Sequence, residues 1–325
     1  MVAGSPLRVV ILNANYPHYE AERDVLAPFG AVEIEHVDTH GSPEQVVLAV
    51  RDADAVMVRE TPIPAAAIAA MTRCKVIVRY GVGVDNIDLA AARERKIVVA
   101  NVPDYGSEEV SDHAFALLMS VARRITQRDK AVRQGAWGVG AKEKIYSMRG
   151  RTLGIVGYGR IGRAFHRKAA ALGFGRTLVY DPFVTQSEPG MEAVDLDTLC
   201  READVISLHT PLNRENYHLI SADRFALMKQ ETILINTARG GIVDEAALVA
   251  ALASGKLFGA GIDVFEKEPL DLNHPLLGFA NVVLTDHTGW YSEECVTDLQ
   301  TKAAQEVARV WGGNRPRSWV NRWED

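Results

Sequence analysis

Cysteine is scarce in this 325-residue chain, and its three copies, Cys74, Cys200 and Cys295, stand far apart without a Cys-x-x-Cys pair. They read as small buried hydrophobes in a reducing compartment. No apolar run approaches the roughly 20 residues that a membrane helix needs. Residues 1–12 lack the basic start, apolar stretch and small-residue cleavage pattern of a secretory signal. Positive charge is not in excess either: the formal net charge is −6, which speaks against a broad nucleic-acid surface. The basic stretch ARRITQRDKAVR (122–133) reads as the solvated side of a helix. Among nine histidines only His36 and His40 lie close in sequence, straddling a strand end and a turn, so no metal is expected. There is no short-period repeat and no low-complexity tract. What these absences leave is a cytoplasmic protein without a nucleic-acid or membrane partner.

What the chain has in quantity is short β-branched runs alternating with alanine-rich helical stretches. The first series comprises RVVILN (8–13), DAVMVR (54–59), KVIVRY (75–80) and IVVANV (97–102). The second comprises TLGIVG (152–157), TLVYDP (177–182), DVISLH (204–209), TILINT (232–237), GAGIDVF (259–265) and NVVLTD (281–286). Continuous apolar strands separated by helices imply parallel sheets covered on both faces. Two series imply an α/β protein of two doubly wound parallel-sheet domains, one of them a Rossmann dinucleotide-binding domain. The predicted division is 1–103 plus 289–325 for a flavodoxin-like substrate domain and 104–288 for the Rossmann domain, with an active-site cleft between them. After Pro103, Ser107 can cap a helix with Glu108 and Glu109 in its first turn. Val110, Ala114, Leu117, Val121 and Ile125 then recur at helical spacing. A last helix near 292–312 returns the chain to the first domain.

GIVGYGRIG (154–162) carries Gly157, Gly159 and Gly162 in GxGxxG spacing, between a strand and the helical run RAFHRKAAALG. Gly157 permits the tight turn, Gly159 lets backbone approach a pyrophosphate, and Gly162 permits close helix–strand packing. Arg160 and Ile161 open the helix whose free amides face the phosphates. Asp181, 19 residues beyond Gly162 at the end of the next strand, suits the adenosine ribose hydroxyls and would repel a 2′-phosphate. That favours NAD over NADP. Arg176 precedes the strand and is not placed to rescue phosphate binding.

In open parallel sheets ligands bind beyond the carboxyl ends of the strands. There the second series delivers His209, Thr210 and Pro211, then Thr237, Ala238 and Arg239, then Asp263 and Glu268, and last Asp286 and His287 from VVLTDHTGW (282–290). A guanidinium suits two-point recognition of a carboxylate or a polarised carbonyl. His287 can give or take a proton near neutrality. Glu268, set in extended geometry by Pro269, would favour the imidazolium.

These segments resemble the D-isomer-specific 2-hydroxyacid dehydrogenase family. The similarity also covers RYGVGVDNIDLAA (79–91), ANVPDYGSEEVSDHAFALLM (100–119), LHTPL (208–212), INTARGGIVDEAAL (235–248) and GIDVFEKEP (261–269). The resemblance implies an NAD-dependent oxidoreductase acting on a small 2-hydroxy or 2-oxo acid. It makes Arg239 the residue that binds the oxo acid, His287 the proton donor or acceptor, and Glu268 its partner. It makes Asp263 the holder of the nicotinamide amide, with contacts from Thr237, Ala238 and Gly289. Tyr80, Val82 and Gly83 would meet the substrate carboxylate, a role that a glycine-rich amide nest can fill. It further implies a homodimer built through the cofactor domain. The departure is Asp286, where the family usually has proline before the histidine; an acid there could raise the pKa of His287 or face away. WYSEE (290–294) is similar to the subgroup of C-terminal binding protein corepressors, and by that analogy Trp290 lines the substrate pocket. The alternative function is therefore an NADH-sensing interaction protein with little turnover.

Overall fold

The structure is a computed structural model and describes residues 6–138 and 144–323. Its contacts divide the chain into two compact units, Met1–Gly106 with Ser292–Asp325, and Ser107–Tyr291.

The first unit holds strands β1 (Leu7–Leu12), β2 (Val32–Val37), β3 (Ala55–Val58), β4 (Val76–Arg79) and β5 (Val98–Ala100). They form one parallel sheet in the order β2-β1-β3-β4-β5. β3 and β4 are buried along their whole length because both faces of the sheet are covered, so the sequence shows AVMV in β3 and VIV before the buried Arg79 in β4. β2 is the edge strand, and its half-polar VEIEHV, with Glu33, Glu35 and His36 exposed, contains no such run. It is missing from the sequence-derived series for that reason. The helix Glu293–Trp311 completes this unit, with the Ser292 side chain accepting from the Cys295 amide at its start.

The second unit holds β6 (Thr152–Val156), β7 (Arg176–Tyr180), β8 (Glu192–Ala193), β9 (Val205–Leu208), β10 (Thr232–Asn236), β11 (Leu257–Ile262) and β12 (Val282–Leu284). All pairs are parallel, in the order β12-β11-β10-β9-β6-β7-β8. The order reverses between β6 and β9, the switch point where a doubly wound sheet opens a ligand crevice at its carboxyl edge. The two-residue β8 is too short to leave a hydrophobic signature.

The helix Ser107–Arg123 opens this unit and buries Ala114, Leu117, Leu118 and Val121. It lies close on β11 because that strand offers glycines. A Cβ on Gly261 would come within 2.8 Å of Leu117 Cβ, and one on Gly259 within 2.9 Å of Val121 Cγ1. The periodic run extends to Ile125 in the sequence, but the helix stops at Arg123. Arg124 turns to φ +53°, and Ile125 begins a new helix, Ile125–Arg133, where it is 55% exposed. That second helix buries no residue, as its basic composition suggests. The three cysteines are buried, and among the described residues none forms a disulfide. Among the described residues no helix is long and apolar enough to cross a membrane.

Candidate active site

The glycine turn after β6 is shaped by backbone constraints that only glycine meets. Gly157 has φ +88°, and a Cβ there would lie 2.6 Å from the His209 carbonyl across the switch point. A Cβ on Gly162 would meet the Gly157 carbonyl at 2.2 Å, so the helix Arg160–Ala170 seats tightly on the turn. Gly159 differs: nothing lies within 4 Å of its Cβ direction, which leaves open space beside the helix start. Arg160 is exposed there and Ile161 half-buried. Asp181 closes the turn, one carboxylate oxygen accepting from the Tyr158 amide at 2.7 Å and the other from the Phe183 amide at 2.8 Å. Arg176 is committed elsewhere, to Glu192 and Glu202, each at 2.8 Å.

Two polar atoms at the ends of β9 and β10 are buried without a hydrogen-bond partner among the described residues: His209 Nδ1 and Thr237 Oγ1. The other nitrogen of His209 lies 2.9 Å from Ser207 Oγ. Burial pushes His209 down to about 3, so the ring is neutral at physiological pH. Orphaned polar atoms beside an open glycine turn suit a polar ligand. Thr210 is half-buried and Pro211 exposed in the following loop, where the Asn216 side-chain Nδ2 donates to the Pro211 carbonyl.

Beyond β10, the Asn236 side chain holds the Ala238 amide and the Arg239 carbonyl, and Arg239 Nη1 donates to the Ala238 carbonyl at 2.7 Å. The next residue is glycine by necessity. A Cβ on Gly240 would sit 1.8 Å from the Phe265 carbonyl carbon. The loop of Arg239 thus lies directly against the backbone that leads to Glu268. Glu268 Oε1 accepts from the Phe265 amide at 2.9 Å, while Oε2 lies 2.7 Å from His287 Nδ1. The Glu268–Pro269 peptide is cis. Burial raises the Glu268 carboxyl, but the hydrogen bond and charge of His287, the Phe265 amide and the charge of Arg239 together hold it below the ordinary carboxylate range.

His287 has φ +58°, and its amide donates to the Asp263 carbonyl at 2.8 Å. Asp263 is 2% exposed; its carboxylate accepts from the Thr285 hydroxyl at 2.6 Å and from the Thr288 and Gly289 amides. With Nδ1 turned to Glu268, the nitrogen of His287 left for proton exchange is Nε2. Asp286 is exposed and accepts from the Thr288 hydroxyl at 3.1 Å, capping its own turn. Trp290 is half-buried and edge-on to Tyr291.

In the first unit the YGVG loop departs from expectation at one position. The Tyr80 side chain is wholly buried, its hydroxyl 2.7 Å from Glu22 Oε1, and its backbone amide donates to Val58. Tyr80 is a core residue, because the buried stretch of β4, which ends in Arg79, continues one residue past the strand. Val82 is 44% exposed and Gly83 half-buried, and among the described residues no hydrogen bond engages either amide. The Asn101 side chain holds the Val82 carbonyl.

The chain matches the model for the D-isomer specific 2-hydroxyacid dehydrogenase NAD-binding domain over residues 115–289, more than half its length. It is also 41% identical over 287 residues to a glyoxylate reductase of Korarchaeum cryptofilum, covering 86% of each chain. This chain belongs to the D-isomer specific 2-hydroxyacid dehydrogenases. A D-3-phosphoglycerate dehydrogenase of Archaeoglobus fulgidus is 39% identical over 89% of this chain, which spans 55% of that protein. Among solved structures, D-lactate dehydrogenase from Aquifex aeolicus, complexed with NAD and lactic acid, superposes with a TM-score of 0.85. It is 28% identical over 94% of this chain and 96% of that one. Like its family, the protein is an NAD-dependent oxidoreductase of 2-hydroxy acids, with a Rossmann domain as its second unit.

The sequence did not point to His113 and Thr285, which meet Asp263 in this dehydrogenase. His113 sits three residues after Val110 and four before Leu117, so it shares their apolar helix face, and a histidine there was the available signal. The fold also gathers His218, Asp244 and Glu266 within metal-ligand reach of one another, from three distant segments. Each is engaged locally. His218 Nε2 lies 2.9 Å from Glu266 Oε1, Asp244 caps the Ala247 amide, and Glu266 accepts from the Glu245 amide.

Proposed function

We propose that the protein reduces a small 2-oxo acid to its D-2-hydroxy acid, reversibly, with Arg239, Glu268 and His287 as the reacting set. The 2.7 Å contact between His287 Nδ1 and Glu268 Oε2, with Arg239 within charge reach of that carboxylate, carries this reading. Bound NAD(H) supplies or accepts the hydride at C2 of the acid. Arg239 binds the carboxylate and polarises the C2 carbonyl, and its planar fork suits both oxygens. His287 Nε2 donates its proton to the oxygen as negative charge develops there, and in oxidation takes it back. Glu268 fixes the ring and balances the imidazolium. Val82 and Gly83 offer unengaged amides to the substrate carboxylate, and Trp290 walls the pocket.

NAD is held by residues of the second unit: Gly157, Gly159, Arg160, Ile161 and Gly162 at the pyrophosphate, and Asp181 at the ribose. His209, Thr210, Pro211, Thr237, Ala238, Asp263 and Gly289 surround the nicotinamide half. The commitment of Arg176 to two glutamates supports NAD over NADP. The names of the relatives, glyoxylate reductase and hydroxypyruvate reductase among them, favour a short substrate. A homodimer through the second unit is supported by an exposed apolar set, Ile125 at 55%, Val132 at 53% and Trp137 at 91%. Light scattering tests it, with a monomer as the contrary result. The protein works in the cytoplasm.

NADH oxidation measured against glyoxylate, hydroxypyruvate, pyruvate and bulkier 2-oxo acids tests the activity. Turnover of the short acids supports the reading. NADH binding with no turnover of any acid returns the sensor alternative, which has no use for a paired acid–base histidine.

A further inference from the structure

We propose that His113 is a positioning residue for the nicotinamide end of the site, acting through Thr285 on Asp263. The inference rests on the reading above that Asp263 receives the nicotinamide carboxamide. His113 Nε2 lies 2.8 Å from Thr285 Oγ1, and that hydroxyl lies 2.6 Å from Asp263 Oδ1. Thr285 has one proton to give, and the shorter contact to a carboxylate takes it. Thr285 Oγ1 must then accept from His113, so the ring carries its proton on Nε2. The chain of donors runs His113 Nε2–H to Thr285 O–H to Asp263. His113 Nε2 is also 3.4 Å from Asp263 Oδ1 itself.

The same carboxylate organises the turn after β12. Its Oδ1 takes the Thr288 amide at 3.1 Å and its Oδ2 the Gly289 amide at 3.0 Å. Oδ1, with the Thr285 hydroxyl and the Thr288 amide donating to it, has both lone pairs engaged. Oδ2 has one protein donor and keeps a lone pair for a carboxamide N–H. By holding the Thr285 hydroxyl on Oδ1, His113 helps keep Oδ2 as the oxygen that faces the cofactor. Its ring also walls the turn: a Cβ on Gly289 would meet Asp263 Oδ2 at 2.8 Å and His113 Cδ2 at 3.2 Å. The helix holds His113 at this depth because Gly259 and Gly261 let it sit close on β11.

The test is calorimetric binding of NADH and of ADP-ribose, which lacks the nicotinamide, to the wild type and to His113→Leu, His113→Gln and Asp263→Asn. His113→Leu should weaken NADH about tenfold while ADP-ribose stays within about twofold. His113→Gln, whose amide N–H reaches Thr285, should restore most of the loss. Equal weakening of both ligands in His113→Leu, or none, overturns the proposal. Asp263→Asn separates the two failures: if it also fails to discriminate between the ligands, the assignment of Asp263 falls too. If it weakens NADH selectively, only the role of His113 falls.

Discussion

His287 Nδ1 and Glu268 Oε2 lie 2.7 Å apart, the first on the turn after β12 and the second on the loop after β11. Neighbouring parallel strands end side by side, so two loops far apart in sequence deliver an imidazole and its carboxylate to one point. Glu268→Gln keeps the shape and a hydrogen-bond acceptor but removes the charge that balances the imidazolium. It should lower kcat about 10–100-fold, less than the loss of acid–base assistance altogether, with a smaller change in KM. Steady-state kinetics at several pH values checks this; an unchanged kcat would show that the charge is idle.

Arg239→Lys should be nearly as damaging as Arg239→Ala. Lysine keeps the charge but loses the planar fork, and a loss of about 2–4 kcal/mol in transition-state stabilisation is expected for either. Comparing kcat/KM for the two variants decides it, and near-wild-type activity in Arg239→Lys would contradict two-point binding.

Three glycines should respond differently to alanine. Gly240→Ala and Gly162→Ala place a Cβ 1.8 Å and 2.2 Å from backbone atoms, and backbone cannot yield as a side-chain tip can. Each should destabilise by about 1–3 kcal/mol or more. Gly159→Ala meets nothing within 4 Å, so its melting temperature should match wild type while NAD binding weakens. Differential scanning calorimetry paired with NAD titration separates the two behaviours. Loss of stability in Gly159→Ala would mean that its open side is not reserved for ligand.

Asp263 makes a pH prediction. Burial raises its carboxyl, but the hydrogen bonds from His113 and Thr285, the charge of His113 and the Gly289 amide outweigh that and hold it below the usual value. A depressed native pKa stabilises the fold above the unfolded value, near pH 4, and that stability is lost as pH falls through the native value. The gap in melting temperature between wild type and Asp263→Asn should therefore narrow from pH 6 to pH 3. A constant gap would show that ionised Asp263 contributes nothing to the fold.

The buried strands and the glycine turn are legible in the sequence because each follows from a local rule: strands covered on both faces are uniformly apolar, and a pyrophosphate turn excludes side chains. The edge strand Val32–Val37 is not, since its half-exposed VEIEHV carries no apolar run. Tyr80 misleads because a loop motif and the end of a core strand overlap in the same residues. Its ring goes to the core, with Glu22 as partner. His113 stays hidden because its relation to Asp263 spans 150 residues and depends on how closely a helix approaches β11. That approach is set by two glycines whose purpose appears only once the strand has a neighbour.

The proposed chemistry turns on His287 moving the proton while the rest of the site binds. The most direct measurement is turnover of His287→Ala with a 2-oxo acid that wild type reduces, alongside its affinity for NADH. The expected result is a fall in kcat of about 10²–10⁴ with NADH affinity within about threefold of wild type. Near-normal turnover in that variant would contradict it.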